Sequence, residues 1–350
     1  MNIEKQLNTI SWEVPESTYR EDKAYSYSTL AKFYRGGFSE LSKLFDKVSS
    51  PSLTFGSAVD TLLTDGEEAF KERFFIADFP EVSDTVFNIV SVIYNENKDK
   101  YDSLSSIPTN DLINYTEILK YQLRWKPETR VKDIIEKGSQ VYNLLSLSEG
   151  KELLSNTISN EVKECVDILK NNPATSFYFA QDNPFEPIKR YYQLKFKGEY
   201  NNIPLRCMAD LIVVDYENKT ITPCDLKTSS HFEYDFPKSF IQWSYFIQAQ
   251  LYWYIIRQNL LKDDYFKDFT LENYRFIVIN NKTRVPLVWE CPFTKTEVTF
   301  KCGDYTIKNW REIVTDLHYY LNQSPTVPKG IFTTKPNNIE EWLKNEENKK

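Results

Sequence analysis

Residues 224–230 read Cys-Asp-Leu-Lys-Thr-Ser-Ser. Side chains alternate along a strand, so Asp225 and Lys227 project from one face. Cys224 and Leu226 project from the other, towards a core. Opposite charges one pleat apart make either a surface ion pair or a metal ligand beside a cation with a chemical task. An isolated Asp-x-Lys triplet is common, and alone the ion pair explains it. The flanking chain has to decide.

Upstream, 188–200 (IKRYYQLKFKGEY) and 203–217 (IPLRCMADLIVVDYE) read as strands, with turns at Asn201-Asn202 and Asn218; 220–230 is the third strand. Short turns predict an antiparallel meander. Asp210 lies on the second strand among Met208, Ile212 and Val214. A carboxylate at such a position is costly unless it has a partner. One turn separates its strand from that of Asp225, so the hairpin can bring the two together. Close carboxylates repel unless a proton or cation lies between them. A hard divalent cation takes oxygen ligands of this kind. Lys227 would then orient a water nucleophile and stabilise charge developing on a phosphate.

Downstream, 239–261 is a long helix, apolar over most of its circumference and therefore largely buried. Gln248 and Tyr252 share one of its faces, either as polar edges of a core helix or as cleft-lining groups. Strands at 274–281 and 285–291 and an amphipathic helix at 302–321 follow. Near the N-terminus, 26–45 and 52–66 read as helical segments. Ser28 is the candidate N-cap of the first and Gly36-Gly37 its break; the second is entered through Gly56 and closes near Gly66. Apolar residues recur at three and four through much of 67–180, with a polar loop at 95–111. The expected division is an arm with the first helices (1–66), a mostly helical insertion (67–180), a core (181–335) and a tail (336–350) in which Trp342 is a candidate docking contact. The class is α/β (α+β): a mixed central sheet flanked by helices, plus the insertion.

Only nine glycines are present, which argues against Gly-rich phosphate loops. A net charge of −7 excludes a chain that coats nucleic acid non-specifically. Any such contact must use a local basic groove, and a carboxylate cluster adds to the same sign. The five cysteines form no C-x-x-C pair and suit neither zinc nor a disulfide framework. They read as buried thiols of a reducing compartment. The N-terminal stretch lacks the apolar segment of a signal peptide, and no run approaches a membrane span. The expectation is a cytoplasmic protein without a membrane partner.

The pieces MAD (208–210), CDLKT (224–228) and QAQLY (248–252) resemble the RecB-like branch of the PD-(D/E)XK nuclease superfamily. Within it the chain looks most like the phage-type exodeoxyribonuclease VIII (RecE-like) group. Ser26, Ser28 and Leu30 match that group's S-x-S-x-L segment, and FGSAVDTLL (55–63) matches its F-G-x-A-x-H-x-x-L helix. The match covers 26–66 and about 160–260; 67–159 match nothing.

The resemblance implies a restriction-endonuclease-like core in which Asp210 and Asp225 hold Mg²⁺, with Mn²⁺ as a substitute and the Leu226 carbonyl as a further ligand. Lys227 would orient and activate the water. Gln248 and Tyr252 would line the cleft. Asp60 stands where the group has a metal-binding histidine; an aspartate suits a hard ion, or it marks a degenerate site. The implied activity is a deoxyribonuclease, foremost an exonuclease on linear double-stranded DNA in phage-type recombination or DNA processing. A single-strand annealing partner, homo-oligomerisation and a bacterial host cytoplasm go with it. An endonuclease or single-strand-specific nuclease of the same fold is the alternative. An inactive module that binds DNA or protein is the alternative of another class.

Phosphate contacts are expected from Lys189, Arg190, Lys195, Lys197 and Arg206 around the first hairpin. Lys295, Lys301, Lys308 and Arg311 form a second group. Each group also fits a solvated face. Phe232, Tyr234 and Phe236 are candidates either to stack on an unpaired end or to fill the core. Glu186 is a further acid or a loop carboxylate. Of the two histidines, His231 follows the decisive strand and His318 reads as a helix-surface residue.

Overall fold

The computed structural model describes residues 5–46 and 50–322, so the tail 336–350 with Trp342 lies outside the described residues. The chain forms two compact units: one from the described residues before 50 and after 166, the other from 50–166. The sequence put the helical insertion at 67–180.

The first unit begins with a short helix, Glu16–Glu21, then α1 (Tyr27–Gly36). Ser26, not Ser28, caps α1, in a capping box with Thr29. Next come β1 (Ile188–Tyr200), β2 (Ile203–Asp215) and β3 (Thr220–Ser229). Then follow α2 (Phe236–Gln242), α3 (Tyr245–Leu261), β4 (Thr270–Leu271), β5 (Arg275–Asn280) and β6 (Pro286–Glu290). The unit closes with a hairpin of β7 (Phe300–Cys302) and β8 (Tyr305–Ile307), and with α4 (Trp310–Asn322).

The main sheet is mixed, in the order β1-β2-β3-β5-β6, with β4 also paired to β3. β1, β2 and β3 form the expected antiparallel meander. β3 and β5 run parallel, as the helical crossover between them requires. Asn201 and Asn202 close the first hairpin with φ of 50° and 63°, the left-handed pair that a two-residue turn needs.

Asp215 organises the second turn. It accepts the N–H groups of Glu217 and Asn218, both at 3.0 Å, and the Asn218 side-chain amide at 2.8 Å. Burial pulls its pKa up, but these hydrogen bonds outweigh it and hold the carboxyl below its ordinary value. A depressed folded pKa stabilises the fold above the unfolded pKa, near 3.9, and that share is lost as pH falls through the folded value. Asp215→Ala is expected to cost about 1 kcal/mol at neutral pH. In urea melts its gap to wild type is expected to shrink below about pH 4.

Two expected helices of this unit also need correction. The helix at 239–261 is broken: Ser244, at φ 60° and ψ 41°, separates α2 from α3. The break turns the Trp243 carbonyl outward, where it accepts the Tyr27 hydroxyl at 2.7 Å and the Arg35 guanidinium at 2.8 Å. The helix expected at 302–321 starts only at Trp310. Gly303, at φ 59°, makes the turn of the β7–β8 hairpin instead.

α3 packs its apolar side, with Phe246, Leu251 and Ile255, against Leu205, Cys207 and Ala209 in the main core. Ten of its seventeen residues are buried, in keeping with its broad apolar pattern.

The second unit is mostly helical. Its helices include Pro51–Thr64, Asp84–Asn97, Thr109–Ile118 and Pro127–Leu147, and a parallel strand pair joins Phe74–Ile76 to Glu152–Leu154. The helix at 51–64 is capped by Ser50, so it starts before Gly56. Val90, Ile93, Leu104, Ile134 and Val141 form this unit's own core. Gly138 allows a close helix contact there, since a Cβ would lie 2.5 Å from Val90. Among the described residues no helix is long and apolar enough to cross a membrane.

Candidate active site

The site lies where two strands part. The β2–β3 ladder runs from Asp215↔Thr220 to Leu211↔Cys224 and stops. The next pair in register is Asp210 with Asp225. There the Leu226 N–H, instead of continuing the ladder, donates to Asp210 Oδ2 at 3.0 Å. Beyond this point β3 continues beside β5. The vacated edge of β2 is taken by the N-terminal segment: Tyr25 donates to the Pro204 carbonyl at 3.0 Å and accepts from the Arg206 N–H at 2.9 Å.

β2 itself changes phase at Asp210. Leu205, Cys207 and Ala209 belong to the main core, and so do Ile212 and Val214. The strict alternation expected around Asp210 therefore fails. Opposite Asp210 on β1, Gln193 adopts φ 52°, and the otherwise continuous β1–β2 ladder skips this one pair. A left-handed residue inside a strand costs roughly 1–2 kcal/mol, so the surrounding ladder has to hold it.

Asp225 is 1% exposed. One carboxylate oxygen is held by the Gln248 side-chain amide, the other by Lys227. The same-face pair expected from the sequence thus forms, but in the interior. Burial works against the Lys227 charge. Asp225 foremost, then Tyr245 and Asp210, outweigh it and raise the ammonium pKa above the ordinary lysine value. The raised pKa favours the protonated form of Lys227, which pairs with Asp225. Its head also sits 5.1 Å from the Tyr245 ring centroid.

Tyr252 and Tyr274 complete the buried wall. Burial is the main cause that lifts both phenols well above their usual pKa, and the charges of Asp225 and Asp210 add to it. The Tyr274 hydroxyl and Gln248 Oε1 are buried and have no hydrogen-bond partner among the described residues. Orphaned polar atoms beside two carboxylates mark a place built for a further polar group. No group of three or more His, Cys, Asp or Glu that could hold a metal occurs among the described residues.

Asp60 lies on the helix Pro51–Thr64, in the other unit, where its carbonyl accepts the Thr64 hydroxyl at 2.9 Å. Glu186 is an exposed loop carboxylate that accepts the Asn183 amide at 3.1 Å. His231 contributes its carbonyl, not its ring, to a contact with Asn280. His318 is half-buried, 3.4 Å from the Tyr25 hydroxyl.

The first-hairpin basic group does not form one open face. Arg190 grips the Phe177 carbonyl and Asp182. Lys189 donates to the Asn183 carbonyl at 2.6 Å, and Lys197 pairs with Asp22 at 2.7 Å. Arg206 is buried, on the Ala24 carbonyl and over the Tyr19 ring. Lys195 is half-buried on the same strand. In the second group, Lys308 pairs with Asp316 and Arg311 with Glu297. Phe236 is core, packed on Tyr245, Phe276 and Trp289, and cannot stack on a ligand.

Sequence reading missed Tyr245 and Tyr274, and Tyr27, whose ring centroid lies 6.3 Å from that of Tyr245. Tyr27 lay inside the quoted Ser26–Leu30 piece, where its position was the available signal. The other two carry no local mark that separates them from core aromatics.

No family model matches the chain, and no curated protein matches it. Among solved structures it is similar to a "putative exonuclease" from Eubacterium rectale, at 12% identity and a TM-score of 0.39, over 89% of this chain and 84% of that one.

Proposed function

We propose that this protein is a Mg²⁺-dependent deoxyribonuclease of PD-(D/E)XK type that removes nucleotides from the ends of linear double-stranded DNA. The observation that carries this reading is the convergence of Asp210, Asp225 and Lys227 where β2 and β3 part, with Gln248 fastening Asp225.

The donor set fits a hard cation. Mg²⁺ keeps several waters and needs only one or two carboxylates, which Asp210 and Asp225 supply. The Leu226 carbonyl is a third oxygen in this reading, and Mn²⁺ is a substitute ion. When bound, the cation supplies Lewis-acid stabilisation and a more acidic water. The chain's own residues do the rest. Lys227 donates to a phosphate oxygen and balances negative charge as the phosphodiester is attacked. Gln248 holds Asp225 in one rotamer, and Tyr252 walls the cleft and keeps bulk water out. The same reading places the protein in phage-type recombination, as a homo-oligomer beside a single-strand annealing protein.

The test uses end-labelled linear and closed circular duplexes with Mg²⁺, Mn²⁺ or EDTA, for wild type and Asp210→Asn. Mononucleotide release from linear DNA alone, lost in EDTA and in the variant, is expected. Nicking of the circle would make the protein an endonuclease. DNA retention without cleavage in either metal would make it a binding module.

A further inference from the structure

We propose that Phe232 and Tyr234 form a stacking platform for the unpaired nucleotides of a DNA end. The two rings lie nearly parallel, at 8° with centroids 5.5 Å apart, and are 50% and 76% exposed. Large aromatic side chains held face to face in solvent leave apolar area unburied that a packed core would use. They follow β3 directly, five and seven residues after Lys227.

The rings are mounted on a fixed base. Asn280, 3% exposed at the end of β5, donates its side-chain amide to the His231 carbonyl at 2.8 Å. Its Oδ1 accepts the N–H groups of Lys282 at 2.8 Å and Thr283 at 3.0 Å. One buried amide therefore ties the aromatic segment to the turn that carries the exposed Lys282. Thr283 also donates to Glu233 at 2.9 Å, and Lys238 pairs with Asp235 at 2.9 Å. Both acids of the segment are thus engaged, which lowers the repulsion a phosphate chain would meet.

This geometry selects the ligand. A nucleobase presents a flat π-face, and stacking on an aromatic ring is sequence-tolerant. Inside a duplex those faces are covered by neighbouring bases, so the ring pair is complementary to bases already out of the duplex. The rings extend outside the protein the stack that a single strand makes with itself, while the exposed Lys282 supplies a cation for its backbone. The placement of the platform next to the chemistry rests on the nuclease reading; the binding test does not.

The experiment measures anisotropy of a fluorescein-labelled oligo-dT strand and of a blunt duplex with the full chain in EDTA. Wild type is compared with Phe232→Leu/Tyr234→Leu and with Phe232→Tyr/Tyr234→Phe, each shown to be folded by its melting curve. Loss of one stacked base is worth roughly 5- to 150-fold in affinity. The leucine pair is expected to weaken oligo-dT binding by at least that factor and duplex binding much less, with the aromatic exchange close to wild type. Equal loss for strand and duplex, an unchanged leucine pair, or no oligo-dT binding by wild type would overturn the platform. An unchanged leucine pair would reassign the rings to a protein contact. None of these results touches the metal-dependent cleavage of labelled duplex, so a failed platform and a failed nuclease reading stay distinguishable.

Discussion

Lys227→Ala is expected to lose cleavage and stability together. Asp225 is 1% exposed and Lys227 neutralises one of its oxygens. Removing one member of a buried pair leaves an uncompensated charge and costs about 3–5 kcal/mol. The Lys227 side chain is 19% exposed, so some water reaches the gap and the lower end applies. Loss of a preorganised donor to the transition state is expected to reduce turnover by at least about 10²–10³. Lys227→Met keeps an aliphatic stem of similar length without the charge and should repeat both losses. Combining it with Asp225→Asn removes both charges, and urea melts should then return towards wild type while activity stays lost. Mg²⁺ should raise the melting point of Lys227→Ala more than that of wild type, because a cation then takes over the charge that Lys227 balanced. A Lys227→Ala protein that melts like wild type, with or without Mg²⁺, would show that the ammonium does not hold Asp225.

Phe276→Ala is expected to be the most damaging single core change in the sheet unit. Phe276 is fully buried on β5, in register with Asp225. Its ring centroid lies 5.5 Å from Tyr245, 5.4 Å from Tyr274, 6.0 Å from Phe240 and 6.1 Å from both Phe236 and Trp289. Five aromatic neighbours, on α2, α3, β6 and the residue before β5, cannot collapse into the space one ring leaves. The transfer and cavity terms together come to about 3–5 kcal/mol. In a unit of this size that lowers the melting point by on the order of 10 °C. Phe276→Leu should cost less than half as much. Because the cavity opens beside Asp225, Phe276→Ala should also lose activity at temperatures where calorimetry shows it folded; full activity there would mean that Asp225 is held by Gln248 and Lys227 alone.

Much of the frame was legible. The three meander strands begin where alternation and the Asn turns put them. Parity placed Asp225 and Lys227 on one face, and the apolar circumference of α3 announced its burial. These are local properties, set by side-chain periodicity and turn chemistry. The errors have a common origin too. Ser244 looks like any helix residue, and only its left-handed φ reveals the break. The first-hairpin cations looked like one DNA-facing set, but Asp22, Asp182 and the Phe177 and Asn183 carbonyls, from distant or neighbouring segments, claim three of them.

The order of amino acids by itself determined which residues could meet: two carboxylates one turn apart, a lysine one pleat on, a glutamine on the following helix. Only the tertiary structure decided that they do. β3 leaves β2 at Asp210 because the Tyr25 segment pairs with one strand and β5 with the other. Gln193 turns left-handed at the same level, and β2 changes phase there. Both depend on hydrogen-bond competition between segments far apart in the chain, and local periodicity carries no record of that competition.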